Sequence, residues 1–239
     1  ELSSGMIEGI TRRYLEIGSF HLQVRFFEQI EEQSIDSIVK MINDHPEVTQ
    51  AFEIIESNGL LYSETNRTGV VVRAIEPVFF EESGDLSEYV SFSDGYDVLY
   101  SGQVIVSAGA AEELRIAKGN EIRLLTARSI PNGRFLLKQS TFPVGSTFTT
   151  GYGDLDGNTV LIPFERALSL FRGSENRAIG VKVKDPYAPL GGVTRSIEAE
   201  LPNGAYIFTW NELERGMYTS FRTTKTMLML AMGVIVCVA

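Results

Sequence analysis

The chain has 239 residues, of which 44% are hydrophobic and 22% are charged, and its formal net charge is −10. This length is enough for a substantial core, either in one large domain or in two small ones. The negative charge argues against nucleic-acid binding, which needs a basic face to neutralise phosphates, and against docking flat on anionic lipid. The one cysteine, Cys237, excludes an intramolecular disulfide.

The beginning of the chain predicts a helix followed by a strand. Apolar residues recur at three- and four-residue spacing over residues 2–17, which is typical of an amphipathic helix. Strict alternation over residues 20–26 predicts a half-buried strand, with His21, Gln23 and Arg25 on its solvent face. We therefore expect His21 to be an ordinary surface residue.

The next part of the chain predicts one helix followed by two strands. Apolar positions predict a helix over residues 34–43, followed by strands over residues 48–56 and 68–75 that are joined across Asn58-Gly59. Gly, Ser and Asp accumulate around residue 85, where we expect a subdomain boundary.

The middle of the chain predicts mostly strands. A short helix over residues 108–118 should end at Gly119, and a helix opened by Pro163 should run to Gly173. A turn at residues 130–134 separates two strands. The strands predicted from here on are 121–127, 135–148, 159–162 and 179–183, and the Pro and Gly cluster at residues 186–192 should be a loop.

The chain ends in an apolar run, residues 227–239. A capping-box pattern, Thr209 to Glu212, opens a helical stripe that continues into this run without a strong breaker. We expect the run to be the first part of a transmembrane helix that continues beyond Ala239; the alternative is a buried C-terminal core helix. With the helix over residues 2–17, this predicts a water-exposed domain bracketed by two helices that lead to the membrane.

No pattern in the sequence predicts catalysis. Neither histidine, His21 or His45, has a partner at metal-ligand spacing, and no phosphate loop, nucleophile elbow or HExxH motif is present. Residues 154–158 resemble part of a calcium loop but lack its other ligands, so a hairpin turn is favoured there. We predict no catalytic residue, no cofactor and no metal, and hence a protein that is not an enzyme.

Five passages carry a resemblance to a known family. They are Val71–Pro77, Ala108–Leu125, Tyr152–Phe171, Val181–Pro186 and the Trp-led segment Trp210–Lys225. In this order and spacing they resemble the extracytoplasmic domain of lipoprotein-releasing ABC transporter permeases, the LolC/LolE group within the MacB-like permeases. The resemblance covers essentially the whole chain, and its specificity lies in the order of motifs that are weak individually.

The resemblance implies an α+β fold, with a porter-like α/β subdomain and a mostly β middle subdomain between stalk helices. The porter-like part would comprise residues 19–86 and 178–208, and the middle part residues 87–177. Residues 1–18 would be the stalk that follows the first transmembrane helix. Residues 209–239 would be the stalk that runs into the second.

The resemblance also implies a function. The domain would lie in the periplasm, attached to the bacterial inner membrane, and would take part in moving lipoproteins towards the outer membrane. Its partners would be a separate ATPase subunit, a second permease subunit in a homo- or heterodimer, an amphiphilic cargo such as a lipoprotein, and a periplasmic lipoprotein carrier. The alternatives are a MacB-like exporter of peptides, drugs or toxins and, from another class, a soluble binding module or hydrolase.

A hairpin in this family, the hook, recruits the carrier, and the matching positions here are about 128–139. The candidate partner-contact turn therefore consists of Arg128, Ile130, Pro131, Asn132, Gly133, Arg134 and Lys138. Pro131 and Gly133 suit a rigid reversal, and the three basic residues place positive charge on an acidic chain. The alternative is an ordinary solvated hairpin.

Overall fold

A computed structural model of the chain describes residues 15, 18, 20–27, 30–82, 89–130, 134–171, 176–186 and 188–213. The strands are β1 (Leu22–Phe26), β2 (Val48–Tyr62), β3 (Arg67–Ile75), β4 (Ser91–Phe92), β5 (Val104–Ser107), β6 (Glu121–Ile130), β7 (Arg134–Thr149), β8 (Thr159–Leu161), β9 (Arg177–Val183) and β10 (Ala205–Thr209). The helices are α1 (Glu32–Asn43), α2 (Val78–Glu82), α3 (Ala108–Leu114), α4 (Gly153–Asn158), α5 (Phe164–Leu170), α6 (Gly191–Glu198) and α7 (Trp210–Leu213), with a 3-10 helix at Asp97–Ser101.

One half of the sheet is an open antiparallel wing in the order β10-β1-β9-β2-β3. The apolar residues of α1 pack on one face of this wing, together with Ile197 of α6. The cluster includes Leu22, Val24, Ile35, Ile38, Ile42, Ala51, Ile179 and Val181. The period-2 pattern of the strands and the 3.6 period of α1 therefore meet in one core.

The other half of the sheet closes into a ring. From β3 the pairing passes to β8, then to β5, β7 and β6, and β6 returns to β2, which is already paired with β3. The cluster that these six strands form with α3 and α5 is apolar, and it includes Leu61, Val72, Val104, Val106, Ile122, Leu124, Phe142 and Val160. Ring closure satisfies the backbone groups that an open sheet would leave at an edge.

The prediction of a turn at Asn58-Gly59 is wrong. β2 continues through both residues, and the chain reverses after it, where the Ser63 N–H donates to the Asn66 carbonyl at 2.9 Å. A Cβ built on Gly59 would lie 2.7 Å from Leu124 Cδ1. The glycine is therefore explained by the close approach of β6 to β2 rather than by a turn.

The prediction that His21 and Gln23 face solvent is also wrong. Their side chains are buried, with relative exposures of 4% and 3%, and so is Lys182 at 7%. The second face of the wing is covered by an aromatic cluster whose rings lie against Gly180, the cross-strand partner of Gln23. The alternating pattern correctly predicts which residues of β1 share a face. It does not show that both faces of β1 and β9 are buried.

Three predicted loops and ends differ from the structure. Helix α3 ends at Leu114, and the left-handed residue that closes it is Arg115 (φ 54°), four residues before the predicted Gly119. Gly191-Gly192 opens α6 instead of lying in a loop. Residues 154–158 belong to α4, because the Asp156 carboxylate accepts hydrogen bonds from the loop before it and anchors a helical turn there.

The predicted helix over residues 2–17, apart from residue 15, and the apolar run at residues 227–239 lie outside the described residues. None of the helices within the described part is long and apolar enough to cross a membrane. The capping box at the start of α7 is present in one direction: the Glu212 carboxylate accepts from the Thr209 N–H at 2.8 Å. The subdomain boundaries remain predictions.

Candidate partner-contact hairpin

The candidate turn lies at the end of the β6–β7 hairpin. The two strands pair antiparallel from Glu121↔Pro143 to Ile130↔Arg134. Strand β6 also pairs with β2, but only from Arg123 to Thr126. Beyond Thr126 the hairpin is a two-stranded ribbon that projects by four further residues of β6, about 13 Å at the usual strand rise.

Several predicted site residues lie outside what the structure describes. Pro131, Asn132 and Gly133, which connect the strands, are not among the described residues, and neither are the side chains of Arg128, Ile130 and Arg134. The backbone register places Arg128 opposite Leu136 and Ile130 opposite Arg134. The structure therefore brings the backbone of Arg128, Ile130 and Arg134 to one end of the ribbon.

Lys138 lies at the base of the ribbon rather than at its end. It is opposite Thr126, whose hydroxyl donates to the Lys138 carbonyl at 3.3 Å. Its Nζ donates to the carbonyl of Ser169 in α5 at 2.9 Å. A cation near the last carbonyls of a helix is favourable, so this contact holds the ribbon base against α5.

A second contact from α5 lies within the closed ring, at the Ile122↔Phe142 pair of the same two strands. The guanidinium of Arg166 lies 5.0 Å from the centroid of the Phe142 ring, and Phe142 is a buried residue of the ring interior. An arginine stacked on an aromatic face contributes both packing and a cation–π attraction. Helix α5 therefore connects the ribbon to the core of the closed ring.

Two exposed apolar residues of the ribbon are not among the predicted site residues. Leu136 and Leu137 have relative exposures of 52% and 64%. Adjacent residues of a strand point to opposite faces, so the ribbon presents an apolar side chain on each face. The only local mark in the sequence is the run of three apolar residues Phe135, Leu136 and Leu137, and such a run ordinarily predicts burial rather than exposure.

The hairpin is basic on an acidic chain. Between residues 122 and 153 the sequence has four basic residues, Arg123, Arg128, Arg134 and Lys138, and no Asp or Glu. Exposed leucines next to positive charge suit contact with an apolar surface that carries negative charge at its rim. Among the described residues, no group of three His, Cys, Asp or Glu side chains could hold a metal ion.

Comparison with known proteins agrees with this architecture. No family model matches the chain. The fold is similar to the crystal structure of the periplasmic region of MacB from Actinobacillus actinomycetemcomitans, with a TM-score of 0.50 and 14% sequence identity over 88% of this chain and 98% of that one. It is also similar to the extracellular domain of the noncanonic ABC-type transporter YknZ from Gram-positive bacteria, with a TM-score of 0.49 and 11% identity over 79% of this chain and 99% of that one.

At this level of identity the MacB comparison establishes the fold and nothing finer. The chain has the mixed α/β fold of a MacB-like periplasmic domain, and the predicted fold class is confirmed. Function has to be argued from the site, because one fold serves many functions.

Proposed function

We propose that this chain is the extracytoplasmic domain of an ABC transporter permease in a bacterial inner membrane, and that it moves lipoproteins towards the outer membrane. The observation that carries the proposal is the MacB-like fold together with a projecting ribbon that exposes Leu136 and Leu137. The domain itself would catalyse nothing. A separate cytoplasmic subunit would hydrolyse ATP, and a second permease subunit would complete the membrane part.

The ribbon would be the contact for a periplasmic lipoprotein carrier. Its two leucines would enter an apolar surface of the carrier, and Arg128 and Arg134 would steer an acidic rim towards it. Lys138 and Arg166 support this role indirectly, because their contacts join the ribbon base to α5 and to the ring core. The ribbon would then move together with the ring as one rigid body.

The test uses the full-length permease with its ATPase in proteoliposomes, and measures ATP-dependent release of a lipoprotein to a purified soluble carrier. We expect release in the parent. The double variant Leu136→Ser/Leu137→Ser should lower carrier capture by at least tenfold, roughly the effect of losing 1.4 kcal/mol, while ATP hydrolysis is unchanged. Tyr206→Ser removes an aromatic residue of similar exposure elsewhere and serves as the matched control.

Two results would contradict the proposal at different levels. If the ribbon variant captures carrier as well as the parent does, the ribbon has no docking role. If the parent shows no ATP-dependent release of lipoprotein, the cargo assignment is wrong. In that case the alternative, an exporter of peptides, drugs or toxins, is tested by efflux of those compounds from the same proteoliposomes.

A further inference from the structure

A cleft with a volume of about 390 Å³ lies near the start of α5. Strands β3 and β8 run parallel side by side, so their carboxyl ends meet at one edge of the ring. Each strand is followed by a proline, Pro77 and Pro163, and the cleft opens between these two positions and the 3-10 helix. The cleft shares α5 with the ribbon but none of its lining residues with it.

The floor of the cleft is apolar because prolines and buried apolar side chains form it. Pro77 and Pro163 have no N–H group, so the two strand ends show ring carbons there instead of backbone donors. The side chains of Leu99 and Phe164, with relative exposures of 3% and 8%, close the floor. An apolar side chain of a ligand would therefore meet carbon atoms on several sides.

Tyr100 forms a wall of the cleft and remains 61% exposed. Its hydroxyl donates to Glu81 Oε1 at 3.0 Å, which connects the ring to α2. Desolvation, the hydrogen bond to Glu81 and the negative charges of Glu81 and Glu76 raise the pKa of the Tyr100 phenol above its ordinary value. Glu76 lines the cleft and Glu81 accepts a hydrogen bond from the Tyr100 wall, so both residues lie next to the mouth of the cleft.

The charge at the mouth selects the kind of ligand. The carboxylate side chains of Glu76, Glu81 and Glu165 are exposed around the opening. The cation that lines the cleft is Arg166, whose guanidinium lies over the Phe142 ring. A segment that carries Lys or Arg beside an apolar residue is complementary to this arrangement, and an acidic segment is repelled.

We propose that this cleft is a docking site for a peptide segment of a partner protein that presents one apolar side chain flanked by Lys or Arg. The apolar side chain would lie on Leu99 and Phe164 against the Tyr100 ring. The flanking cations would contact Glu76 and Glu165. This inference goes beyond the transport proposal and does not depend on it, since it concerns a different face and a basic partner.

The test is a titration of the 239-residue chain with the peptide acetyl-Gly-Lys-Leu-Lys-Gly-amide, followed by the NMR amide resonances of Leu99, Gly102 and Phe164. We expect saturable shifts with a dissociation constant near 1 mM or below, which corresponds to about −4 kcal/mol. The affinity should fall as salt is added, because exposed charges are screened. The analogue with Glu in place of both Lys residues should not bind.

Variants separate the site from non-specific binding. Tyr100→Ala and the double variant Glu76→Gln/Glu165→Gln should each weaken binding at least fivefold. All three positions are exposed, so folding should be retained. Tyr206→Ala and Glu112→Gln, exposed positions away from the cleft, should bind as the parent does. The proposal is overturned if the parent shows no shift at about 5 mM peptide, if the Glu analogue binds equally well, or if the cleft variants and the control variants behave alike.

Discussion

Gly180 in β9 lies so close to Phe20 that a Cβ built on the glycine would come within 2.9 Å of the Phe20 ring and 3.0 Å of the Phe52 ring. Phe20 has a φ of 58°, a left-handed conformation that bulky residues rarely adopt. Its ring packs edge-on against Phe52 at 4.8 Å and Phe79 at 5.9 Å. Phe20, which precedes β1 in a strained conformation, is thus held in place by aromatic packing over Gly180, which has no side chain.

Gly180→Ala should therefore destabilise the fold. The added methyl group must displace two aromatic rings, and overpacking of this kind costs about 1–3 kcal/mol. The measurement is the free energy of unfolding in urea. Gly69→Ala in β3 is the matched control, because nothing lies within 4 Å of a Cβ built there. Equal losses in both variants would show that the Phe20 contact is not the cause.

The pair Glu53–Arg177 predicts a difference between two salt bridges. Arg177 donates to both carboxylate oxygens of Glu53, and both side chains are only 11% exposed. In the second pair, Arg73 Nη2 lies 3.0 Å from Glu56 Oε2, and the arginine side chain is 12% exposed while the carboxylate is 38% exposed. Removing one partner of a buried pair leaves an uncompensated charge, so Glu53→Gln should cost about 2–4 kcal/mol.

Glu56→Gln should cost less than Glu53→Gln, because the Glu56 carboxylate is 38% exposed and water can replace part of its contact with Arg73, whose side chain is 12% exposed. Urea unfolding of both variants at the same salt concentration gives the comparison. The double variant Glu53→Leu/Arg177→Met should recover part of the loss, since no unpaired charge remains. If the double variant is less stable than Glu53→Gln, the attraction between the two charges contributes more to stability than the cost of leaving one of them buried alone.

The sequence predicts strands whose pattern is local and misses features that depend on distant pairing. Alternation in residues 121–127 and 135–148 was enough to predict the two strands of the hairpin. The exposure of Leu136 and Leu137 could not be predicted, because it depends on where β2 stops pairing with β6, at Thr126. A run of apolar residues in a strand ordinarily predicts burial.

Strand β10 was missed for a related reason. It is five residues long, and its only pairing among the described residues is with β1, which is about 180 positions earlier in the chain. Both β1 and β9 were predicted, but no local signal shows that each has its second face covered. His21 is buried because residues distant in the chain cover the second face of β1. The alternation within β1 does not show this covering.

The left-handed helix end at Arg115 predicts a stabilising substitution. A non-glycine residue at φ 54° carries backbone strain, and glycine does not. Arg115→Gly should raise the melting temperature, with a gain of about 0.5–1 kcal/mol. Gly119→Ala, at φ 88° with open space around the added methyl, should lose a similar amount. Two changes of the same sign would contradict the strain argument.

We predict a structural role for Asp156, which lies in the segment whose sequence resembles part of a calcium loop. Its carboxylate accepts from the Thr150 N–H at 2.6 Å, the Thr150 hydroxyl at 2.8 Å and the Gly151 N–H at 2.9 Å. Asp156→Ala should cost about 2 kcal/mol, because donors in that loop lose their acceptor. Asp154→Ala, which loses one exposed contact with Tyr152, should be nearly neutral. Added calcium should not change the difference between these two variants; a calcium-dependent difference would contradict the structural role.

The pair Lys118–Asp94 predicts a specific pH dependence. Lys118 Nζ donates to Asp94 at 2.6 Å, and this bond, followed by that from the Ser93 hydroxyl, lowers the pKa of Asp94 below its ordinary 3.8. A carboxyl group with a lowered pKa stabilises the folded state above its unfolded pKa, and the contribution is lost as the pH falls through the folded value. Lys118→Met should therefore be less stable than the parent by a constant amount above about pH 5, and this difference should shrink as the pH falls below the ordinary pKa of Asp94 and through its lowered folded value. Lys184→Met, an exposed control, should show no such change over the same pH range. A stability difference for Lys118→Met that persists unchanged at low pH would mean that the lysine acts through packing and not through Asp94.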